Sequence, residues 1–267
     1  AEEGGGAEMT GESGGYLLRM EGLCRSYRKQ PALSGFSGEI ELERGLIYGL
    51  IGPNGSGKTT LLKLLAGILV PSGGRIFRKG EGRKKENCAE QEASFPAWSQ
   101  ENVVYIPAGE RGLRYKNTVR DNVLYFSALK GRSAEETEAL LTRYASFLHC
   151  ETLLDRRVET LSLGQKKKAS LLCGLCAGAR LILMDEPEGG LDLDARGELR
   201  RTILQTARRE GVTFLISSHD LLLFEGLADR YLFLQNGKDV FHNDGTMDRE
   251  SLQAAYERLT EEGRMEQ

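Results

Sequence analysis

The sequence contains no uninterrupted run of about twenty apolar residues, the length that a membrane-spanning helix needs. Its start lacks a basic segment followed by an apolar one, so no signal peptide is predicted. The five cysteines are odd in number and scattered, which argues against a secreted disulfide framework. These absences together predict a cytosolic protein.

Neither sign of charge is in excess, because 36 lysines and arginines stand against 39 aspartates and glutamates, for a net charge of −3. This balance argues against a basic surface for nucleic acid or for acidic lipids. Hydrophobic residues make up 40% of the 267 residues, enough for one large domain or two closely joined ones. Cys173 and Cys176 form an isolated C-x-x-C in an apolar, helix-like run, which favours buried thiols over a metal or redox site.

A glycine-rich stretch at residues 52–60 matches the pattern G-x-x-x-x-G-K-[ST], which binds phosphate groups. It comprises Gly52, Pro53, Asn54, Gly55, Ser56, Gly57, Lys58, Thr59 and Thr60. The apolar residues 46–51 before it predict a buried strand, and residues 59–69 after it have helical spacing. Strand, glycine loop and helix together predict a nucleotide-binding loop rather than a turn that binds nothing.

The residue types in this loop fit phosphate chemistry. Glycines allow successive backbone N–H groups to approach phosphate oxygens, and the helix that follows points the positive end of its dipole at them. Lys58 is predicted to reach the β- and γ-phosphates, and the hydroxyl of Thr59 is predicted to bind Mg²⁺. The loop therefore predicts binding of a nucleoside triphosphate.

A buried strand predicted at residues 181–184 is followed by two carboxylates, Asp185 and Glu186. Such a strand end lies beside the phosphate loop at the C-terminal edge of a parallel sheet. Asp185 is predicted to bind Mg²⁺ directly or through water, and Glu186 to polarise an attacking water. Without the phosphate loop, two exposed acids capping a turn would be the simpler interpretation.

Strands and helices alternate along most of the chain, which predicts an α/β sheet covered by helices on both faces. The first strand is predicted at residues 16–20, and residues 112–172, which lack strands, predict a helical subdomain. Residues 1–15 are rich in glycine and glutamate and are predicted to form a disordered lead. Residues 246–267 are predicted to form a short helical tail.

Three further motifs follow the phosphate loop: LSLGQ at residues 161–165, Asp-Glu-Pro at 185–187 and Ser-His-Asp at 218–220. In this order and spacing, residues 16–245 resemble the ATP-binding subunits of ABC transporters. The resemblance implies a P-loop fold of the ABC-ATPase type, with a mixed or parallel core sheet, an antiparallel β subdomain and an inserted helical subdomain. It also implies a Mg²⁺-dependent ATPase that works with a separate integral-membrane permease.

The resemblance further implies roles for individual residues. The LSLGQ segment would close over the γ-phosphate of ATP held by a second subunit, so that two subunits bind two ATP molecules head to tail. His219 would contact the γ-phosphate and hold the attacking water beside Glu186, and Tyr27 would stack on the adenine. The remaining implied contacts are Ser162, Gly164 and Gln165 at the partner's nucleotide, and Leu191 and Asp192 at the dimer interface.

The sequence departs from the family's pattern at a few positions. Leu163 stands where glycine is usual, and its side chain would crowd the opposing phosphate or restrict the backbone. The glutamine usual after the strand at residues 103–106 is missing, and Glu110 is a candidate substitute whose spacing differs by one or two residues. Glu188 and Gly189 stand where threonine and serine are commoner, so the turn that crosses the dimer is modified as well.

These departures leave several functions open. The chain is either a divergent subunit that still hydrolyses ATP, or a slow or non-hydrolytic subunit of a heterodimeric transporter. Retention of Glu186 and His219 favours hydrolysis. A soluble ABC-type ATPase acting on ribosomes or DNA is a further alternative, which the single cassette and the lack of a heptad run make weaker.

The resemblance places the permease contact in a cleft floored by residues 108–115, where residues 110–115 are either the main contact or an ordinary charged loop. The segment PAGERGL at residues 107–113 resembles exporter subunits, so export is favoured over import. The second subunit is either a copy of this chain or another ABC subunit, and no nucleic-acid partner is expected. The protein is accordingly expected in the cytoplasm, held at the inner face of the cell membrane by the permease.

Overall fold

The structure, a computed structural model, describes residues 17–28, 30–42, 44–79, 95–243 and 245–265. The predicted disordered lead and Cys88 lie outside these residues. Among the residues that are described, no helix combines the length and the apolar content that crossing a membrane requires.

The described ranges contain strands, α-helices and short 3₁₀ helices. The strands are β1 (Leu17–Tyr27), β2 (Gln30–Glu41), β3 (Ile47–Ile51), β4 (Gly73–Lys79), β5 (Val103–Ile106), β6 (Leu181–Asp185), β7 (Thr213–Ser218), β8 (Arg230–Gln235) and β9 (Lys238–Asn243). The α-helices are α1 (Lys58–Leu65), α2 (Phe95–Asn102), α3 (Val119–Leu129), α4 (Ala134–Phe147), α5 (Leu163–Cys176), α6 (Leu193–Glu210) and α7 (Arg249–Met265). Short 3₁₀ helices lie at Glu151–Leu153, Val158–Thr160 and Leu221–Leu223.

The larger sheet has the strand order β5-β6-β7-β3-β8-β9. Its first five strands pair in parallel, and β9 adds an antiparallel edge. Every residue of β3, β6 and β7 is buried, as expected for strands that have helices on both faces. The predicted α/β P-loop fold with a mixed core sheet is confirmed.

The strand order brings the ends of three strands together. Ile51 at the end of β3 pairs with Ser218 of β7, and Asp185 at the end of β6 pairs with Ser217 of β7. Because these strands are parallel, the segments that follow them leave the sheet at the same edge. The phosphate loop, the two carboxylates and the segment with His219 therefore meet at this edge.

A smaller antiparallel sheet has the order β2-β1-β4 and packs through residues such as Leu18 and Phe36 on one face of the larger sheet. The prediction that the first strand ends at residue 20 is wrong, because β1 continues to Tyr27. Irregular pairing between Met20 and Cys24 allows the strand to continue along β2. The interruption hides the regular alternation that identifies a strand in a sequence.

Helices α3, α4 and α5 follow one another between β5 and β6 and pack together. Thr118 caps α3 and Ser133 caps α4, and each shares two hydrogen bonds with an acid three residues later, Asp121 and Glu136 respectively. The spacing of Ser133 and Glu136 in the sequence predicts such a capping box, and the structure confirms it. The apolar faces of these helices join the core on the other face of the larger sheet.

Candidate functional site

The phosphate loop joins β3 to α1, and two of its glycines lie too close to neighbouring backbone to carry a side chain. A Cβ atom at Gly52 would lie 2.1 Å from the carbonyl oxygen of Leu234, and one at Gly57 would lie 2.3 Å from that of Ala32. Gly57 also has a φ of +109°, a conformation that other residues rarely adopt. These glycines let the loop pack between β2 and β8.

Lys58 begins α1 and is only 5% exposed. Its Nζ donates hydrogen bonds to the carbonyl oxygens of Gly52 (2.6 Å) and Pro53 (3.0 Å). Burial lowers the pKa of Lys58, and the nearby carboxylates of Glu186 and Asp185 partly offset this effect. Within the described part of the chain, these two neutral carbonyls are the direct hydrogen-bond partners of the ammonium group, which is well placed to exchange them for phosphate oxygens.

The hydroxyl of Ser56, in the middle of the loop, is buried and has no hydrogen-bond partner within the described part of the chain. Such groups are rare in folded proteins and often mark a place that a ligand or an ordered water occupies. The pocket over the loop is lined by Ala32, Asn54, Gly55, Gly57, Lys58, Thr59, Thr60 and Glu186. The unpartnered hydroxyl and the buried ammonium group fit the phosphate chain of a nucleotide.

Asp185, at the end of β6, accepts three side-chain hydrogen bonds. Thr59 Oγ1 donates to Oδ2 over 2.8 Å, and the hydroxyl of Tyr105 donates to the same oxygen over 3.0 Å. Ser217 Oγ donates to Oδ1 over 2.6 Å. Carboxylate and hydroxyl oxygens are the ligands that Mg²⁺ prefers, so Thr59 and Asp185 fit this ion. The structure thus brings together the two residues predicted to bind the metal.

Tyr105 is a member of this site that the sequence patterns did not single out. It lies on β5, where it pairs with Leu183 of β6. Asp185 is the last residue of that neighbouring strand. Burial and the adjacent Asp185 carboxylate raise the pKa of Tyr105, so its phenol keeps the proton and acts as a donor at neutral pH. The sequence shows only a tyrosine near the end of a predicted strand. It does not show where the hydroxyl of this tyrosine points.

Glu186 and His219 lie at the ends of two neighbouring strands, with His219 Nδ1 3.1 Å from Glu186 Oε1. Glu186 has a φ of +42°, which is uncommon for a residue other than glycine. Backbone strain of this kind clusters at functional sites. Since Glu186 also lines the pocket over the phosphate loop, a carboxylate and an imidazole are available where a water could attack a bound phosphate.

The LSLGQ segment starts α5 and lies on a different surface. Ser162 caps the helix, because its Oγ accepts the N–H of Gln165 (3.3 Å) and Gln165 Oε1 accepts the N–H of Ser162 (3.0 Å). These two residues and Gly164 line a polar pocket together with Leu191 and Asp192. The residues predicted to meet a second nucleotide and a second subunit therefore share one surface, separate from the pocket over their own phosphate loop.

Leu163, the departure within this segment, is partly buried and packs on the core of its own subunit and on Gly190. This packing fixes the direction of the side chain. Leu163 also lines the polar pocket beside Ser162 and Gly164, so the expectation that it crowds a phosphate on the opposing subunit stays a prediction.

Tyr27, at the end of β1, is 45% exposed, and the guanidinium of Arg25 lies 5.7 Å from the centre of its ring. The paired strand β2 carries Ala32, which lines the pocket over the phosphate loop. An exposed aromatic face is thus available near that pocket. Its stacking on adenine stays a prediction.

The side chain of Glu110 forms hydrogen bonds with the helical region between β5 and β6. Its Oε2 accepts hydrogen bonds from Lys166 Nζ (2.8 Å) and from the hydroxyl of Tyr115 (3.0 Å), and the bond from Lys166 is the main reason that the pKa of Glu110 is lowered. Lys166 belongs to α5. The side chain that reaches the predicted metal site from this part of the chain is Tyr105, through Asp185.

Comparison with known proteins agrees with this geometry. The family profile described as ABC transporter matches residues 37–189. The lantibiotic transport ATP-binding protein SrtF of Streptococcus pyogenes is 31% identical over 240 residues, covering 88% of this chain and 95% of that protein. The Nod factor export ATP-binding protein I of Burkholderia orbicola is 32% identical over 216 residues, covering 81% and 67% respectively.

A relative named for import is similar to a comparable degree. The sulfate/thiosulfate import ATP-binding protein CysA 1 of Agrobacterium fabrum is 30% identical over 225 residues, covering 83% of this chain and 61% of that protein. The solved structure of an ATP-binding subunit of an ABC transporter superposes with a TM-score of 0.73 at 27% identity, covering 91% of this chain and 99% of that one.

Proposed function

This chain belongs to the ABC transporter family as an ATP-binding subunit with ATPase activity, and we propose that it works as one half of a head-to-tail dimer that drives a membrane permease. One observation carries this proposal. Lys58, Thr59, Asp185 and Glu186 meet around the phosphate loop, whereas the LSLGQ segment lines a pocket elsewhere on the same subunit. A subunit of this design holds ATP on one surface and offers closing groups for a partner's ATP on the other.

Hydrolysis needs a held phosphate chain, a positioned water and a group that takes its proton. Lys58 and the N–H groups of the loop hold the β- and γ-phosphates. Thr59 and Asp185 would hold Mg²⁺, which would supply positive charge to offset the charge on the phosphates. Glu186 accepts the proton of the attacking water, and His219, 3.1 Å from Glu186, contacts the γ-phosphate.

The second subunit meets the surface formed by the LSLGQ segment, Leu191 and Asp192. Leu193, the next residue along the chain, is 85% exposed although it is apolar. An exposed leucine beside polar donors is suited to burial in a subunit contact. We take the second subunit to be another copy of this chain, joined through the γ-phosphates of two ATP molecules and released when these are hydrolysed.

A groove lined mainly by apolar side chains offers a docking site for the permease. It lies beside β5 and between the end of α1 and helices α3 and α5, and its lining includes Ile68, Val104, Leu113, Phe126 and Leu129. Both Ile68 and Leu129 are exposed in the isolated subunit. A short amphipathic helix on the cytoplasmic side of the permease fits such a groove with its apolar face inward.

We propose export as the direction of transport. The segment PAGERGL at residues 107–113 is the feature that supports it, and the relative named for Nod factor export agrees with it. The relative named for sulfate/thiosulfate import shows that both directions occur among similar proteins. A subunit that binds ATP and docks on a permease works at the cytoplasmic face of the membrane.

Release of phosphate by the purified protein tests the catalytic part of this proposal. If Glu186 takes the proton, Glu186→Gln lowers kcat by about 10²–10⁴-fold while ATP binding is retained. The exposed Glu135, in the first turn of α4, provides the matched control Glu135→Gln, which should keep the wild-type rate. Equal rates for wild type and Glu186→Gln would contradict the assignment.

Co-purification from membranes tests the docking groove. Ile68→Asp combined with Leu129→Asp should abolish recovery of the permease while leaving the ATPase rate of the isolated subunit unchanged. Val70→Asp is the control, since Val70 is similarly exposed but does not line the groove. Recovery of ribosomes or nucleic acid in place of a membrane protein would favour a soluble ATPase.

A further inference from the structure

Glu188 is a buried carboxylate to which the proposed mechanism gives no role. It lies two residues after Glu186 and is 4% exposed. Its Oε1 accepts a hydrogen bond from the hydroxyl of Ser218, at the end of β7. Its Oε2 is buried and has no hydrogen-bond partner in the residues that the structure describes. A buried carboxylate of this kind lowers stability, so its presence requires another explanation.

The hydroxyl of Ser218 holds the turn that carries His219. While its proton is donated to Glu188, its oxygen accepts the N–H of Asp220 over 2.8 Å. His219 is the residue between these two attachment points. The carboxylate of Glu188 thus orients a hydroxyl, and the hydroxyl fixes the backbone on both sides of the imidazole.

A second connection, through Arg196, joins the turn that carries Glu188 to the turn that carries His219. Asp220 Oδ2 lies 2.9 Å from Arg196 Nη1, and Arg196 Nε donates to the carbonyl oxygen of Leu191 over 3.2 Å. Leu191 belongs to the same turn as Glu188, because its N–H donates to the Glu188 carbonyl oxygen over 3.0 Å. Besides the contact of His219 with Glu186, the turn at residues 186–191 and the turn at residues 218–220 are therefore joined through Glu188 and through Arg196.

The charges around Glu188 come from several elements. Glu186 precedes it on the same turn, and Asp220 follows β7. The ammonium groups of Lys58 from α1 and Lys167 from α5 lie near enough to interact with the carboxylate. Glu188 is thus surrounded by the phosphate loop, the LSLGQ helix and the histidine turn, which are the parts that must act together in hydrolysis.

We propose that Glu188 is a positioning residue for ATP hydrolysis, which holds Ser218 and thereby keeps His219 beside Glu186. The proposal rests on the roles of Glu186 and His219 in the proposed function. The turn that carries Glu188 continues to Leu191 and Asp192 at the proposed dimer surface.

Steady-state ATP hydrolysis and the affinity for a fluorescent ATP analogue test this role. Glu188→Ala and Ser218→Ala should each lower kcat about 10-fold, with KM and nucleotide affinity within about 2-fold of wild type, because the loss affects the position of His219 and not binding. Glu188→Gln should restore most of the rate, since an amide oxygen also accepts the Ser218 proton. The double alanine variant should be no slower than either single variant.

Different outcomes distinguish a failure of the proposed function from a failure of the positioning role of Glu188. If His219→Ala and Glu186→Gln hydrolyse ATP at the wild-type rate, the proposed function itself fails. If those variants are inactive while Glu188→Ala and Ser218→Ala keep the wild-type kcat, only the positioning role fails. A Glu188→Gln as slow as Glu188→Ala, or losses that multiply in the double variant, would also overturn it. Should Glu188→Ala not fold, Ser218→Ala decides by the same criteria.

Discussion

The side chain of Leu163 packs directly on Gly190. A Cβ atom added at Gly190 would lie 2.9 Å from Leu163 Cδ2, and Gly190 has a φ of +77°. The leucine in the LSLGQ segment is thus accommodated by a glycine in the turn that leads to Leu191. The two segments proposed to meet a second subunit are in contact within one subunit, so movement of one is expected to move the other.

Replacing Leu163 by glycine tests whether this leucine limits the ATPase. Because the side chain packs on the core of its own subunit and on Gly190, we expect Leu163→Gly to leave kcat within about 3-fold of wild type. The loss of packing and of helix propensity should lower the free energy of unfolding by about 1–2 kcal/mol. Urea unfolding and phosphate release measure the two effects. A rise in kcat of more than about 10-fold would show that Leu163 obstructs closure.

Gly190→Ala places a Cβ atom against the side chain of Leu163, where the structure leaves too little room for it. The positive φ and the contact with Leu163 should together lower the free energy of unfolding by about 1–2 kcal/mol. In a Leu163→Ala background the same substitution should cost less, because only the backbone strain remains. Equal costs in the two backgrounds, measured by urea unfolding, would show that the Leu163 contact does not matter.

Tyr105→Phe removes one of the two hydrogen bonds that Asp185 Oδ2 accepts. Residues that orient a metal-binding carboxylate typically change metal affinity by 10- to 100-fold, so we expect the Mg²⁺ concentration for half-maximal hydrolysis to rise about 10-fold. Tyr125→Phe on α3 is the matched control. An unchanged Mg²⁺ requirement would show that Tyr105 does not position Asp185.

The stability of the nucleotide-free protein should depend on pH through Glu188. Burial raises the pKa of Glu188 above its ordinary value, and the hydrogen bond from Ser218 offsets only part of this effect. A raised pKa favours the folded state below the unfolded pKa, and this contribution is lost as the pH rises through the folded pKa. Glu188→Gln should therefore raise Tm relative to wild type at about pH 8, and the difference should shrink towards about pH 4. A difference that grows as the pH falls would contradict the burial of an acid.

Much of the fold follows from the sequence. The order of the motifs and the alternation of strands and helices predict an α/β sheet of the ABC-ATPase type, which is confirmed. The predicted approach of Thr59 to Asp185 is also found, at 2.8 Å across 126 residues of chain. This succeeds because a strand followed by a glycine loop and a strand followed by carboxylates occupy fixed places at one edge of a parallel sheet.

The remaining features depend on contacts that no local pattern encodes. Tyr105 reaches Asp185 because β5 pairs with β6, although the two strands are far apart in the sequence. Glu188 is an ordinary acid in a turn until the end of β7 places Ser218 against it. The direction of Leu163 is decided by a glycine on another segment. These three contacts become visible only in the folded structure.

Mixing two inactive variants tests most directly whether two subunits share each ATP site. Lys58→Ala removes the charge that holds the phosphates, and Gly164→Asp places an anion in the LSLGQ segment. The fold tolerates a side chain at residue 164, where a Cβ atom would meet only Ala195, at 3.6 Å. Each variant alone should be inactive, and each should remain folded by circular dichroism.

In a mixed dimer, the intact phosphate loop of one chain faces the intact LSLGQ segment of the other. Random pairing of equal amounts then restores phosphate release to roughly a quarter of the wild-type rate, because half of the dimers are mixed and each has one complete site of two. A mixture as inactive as its separate components would contradict a site shared between two copies of this chain.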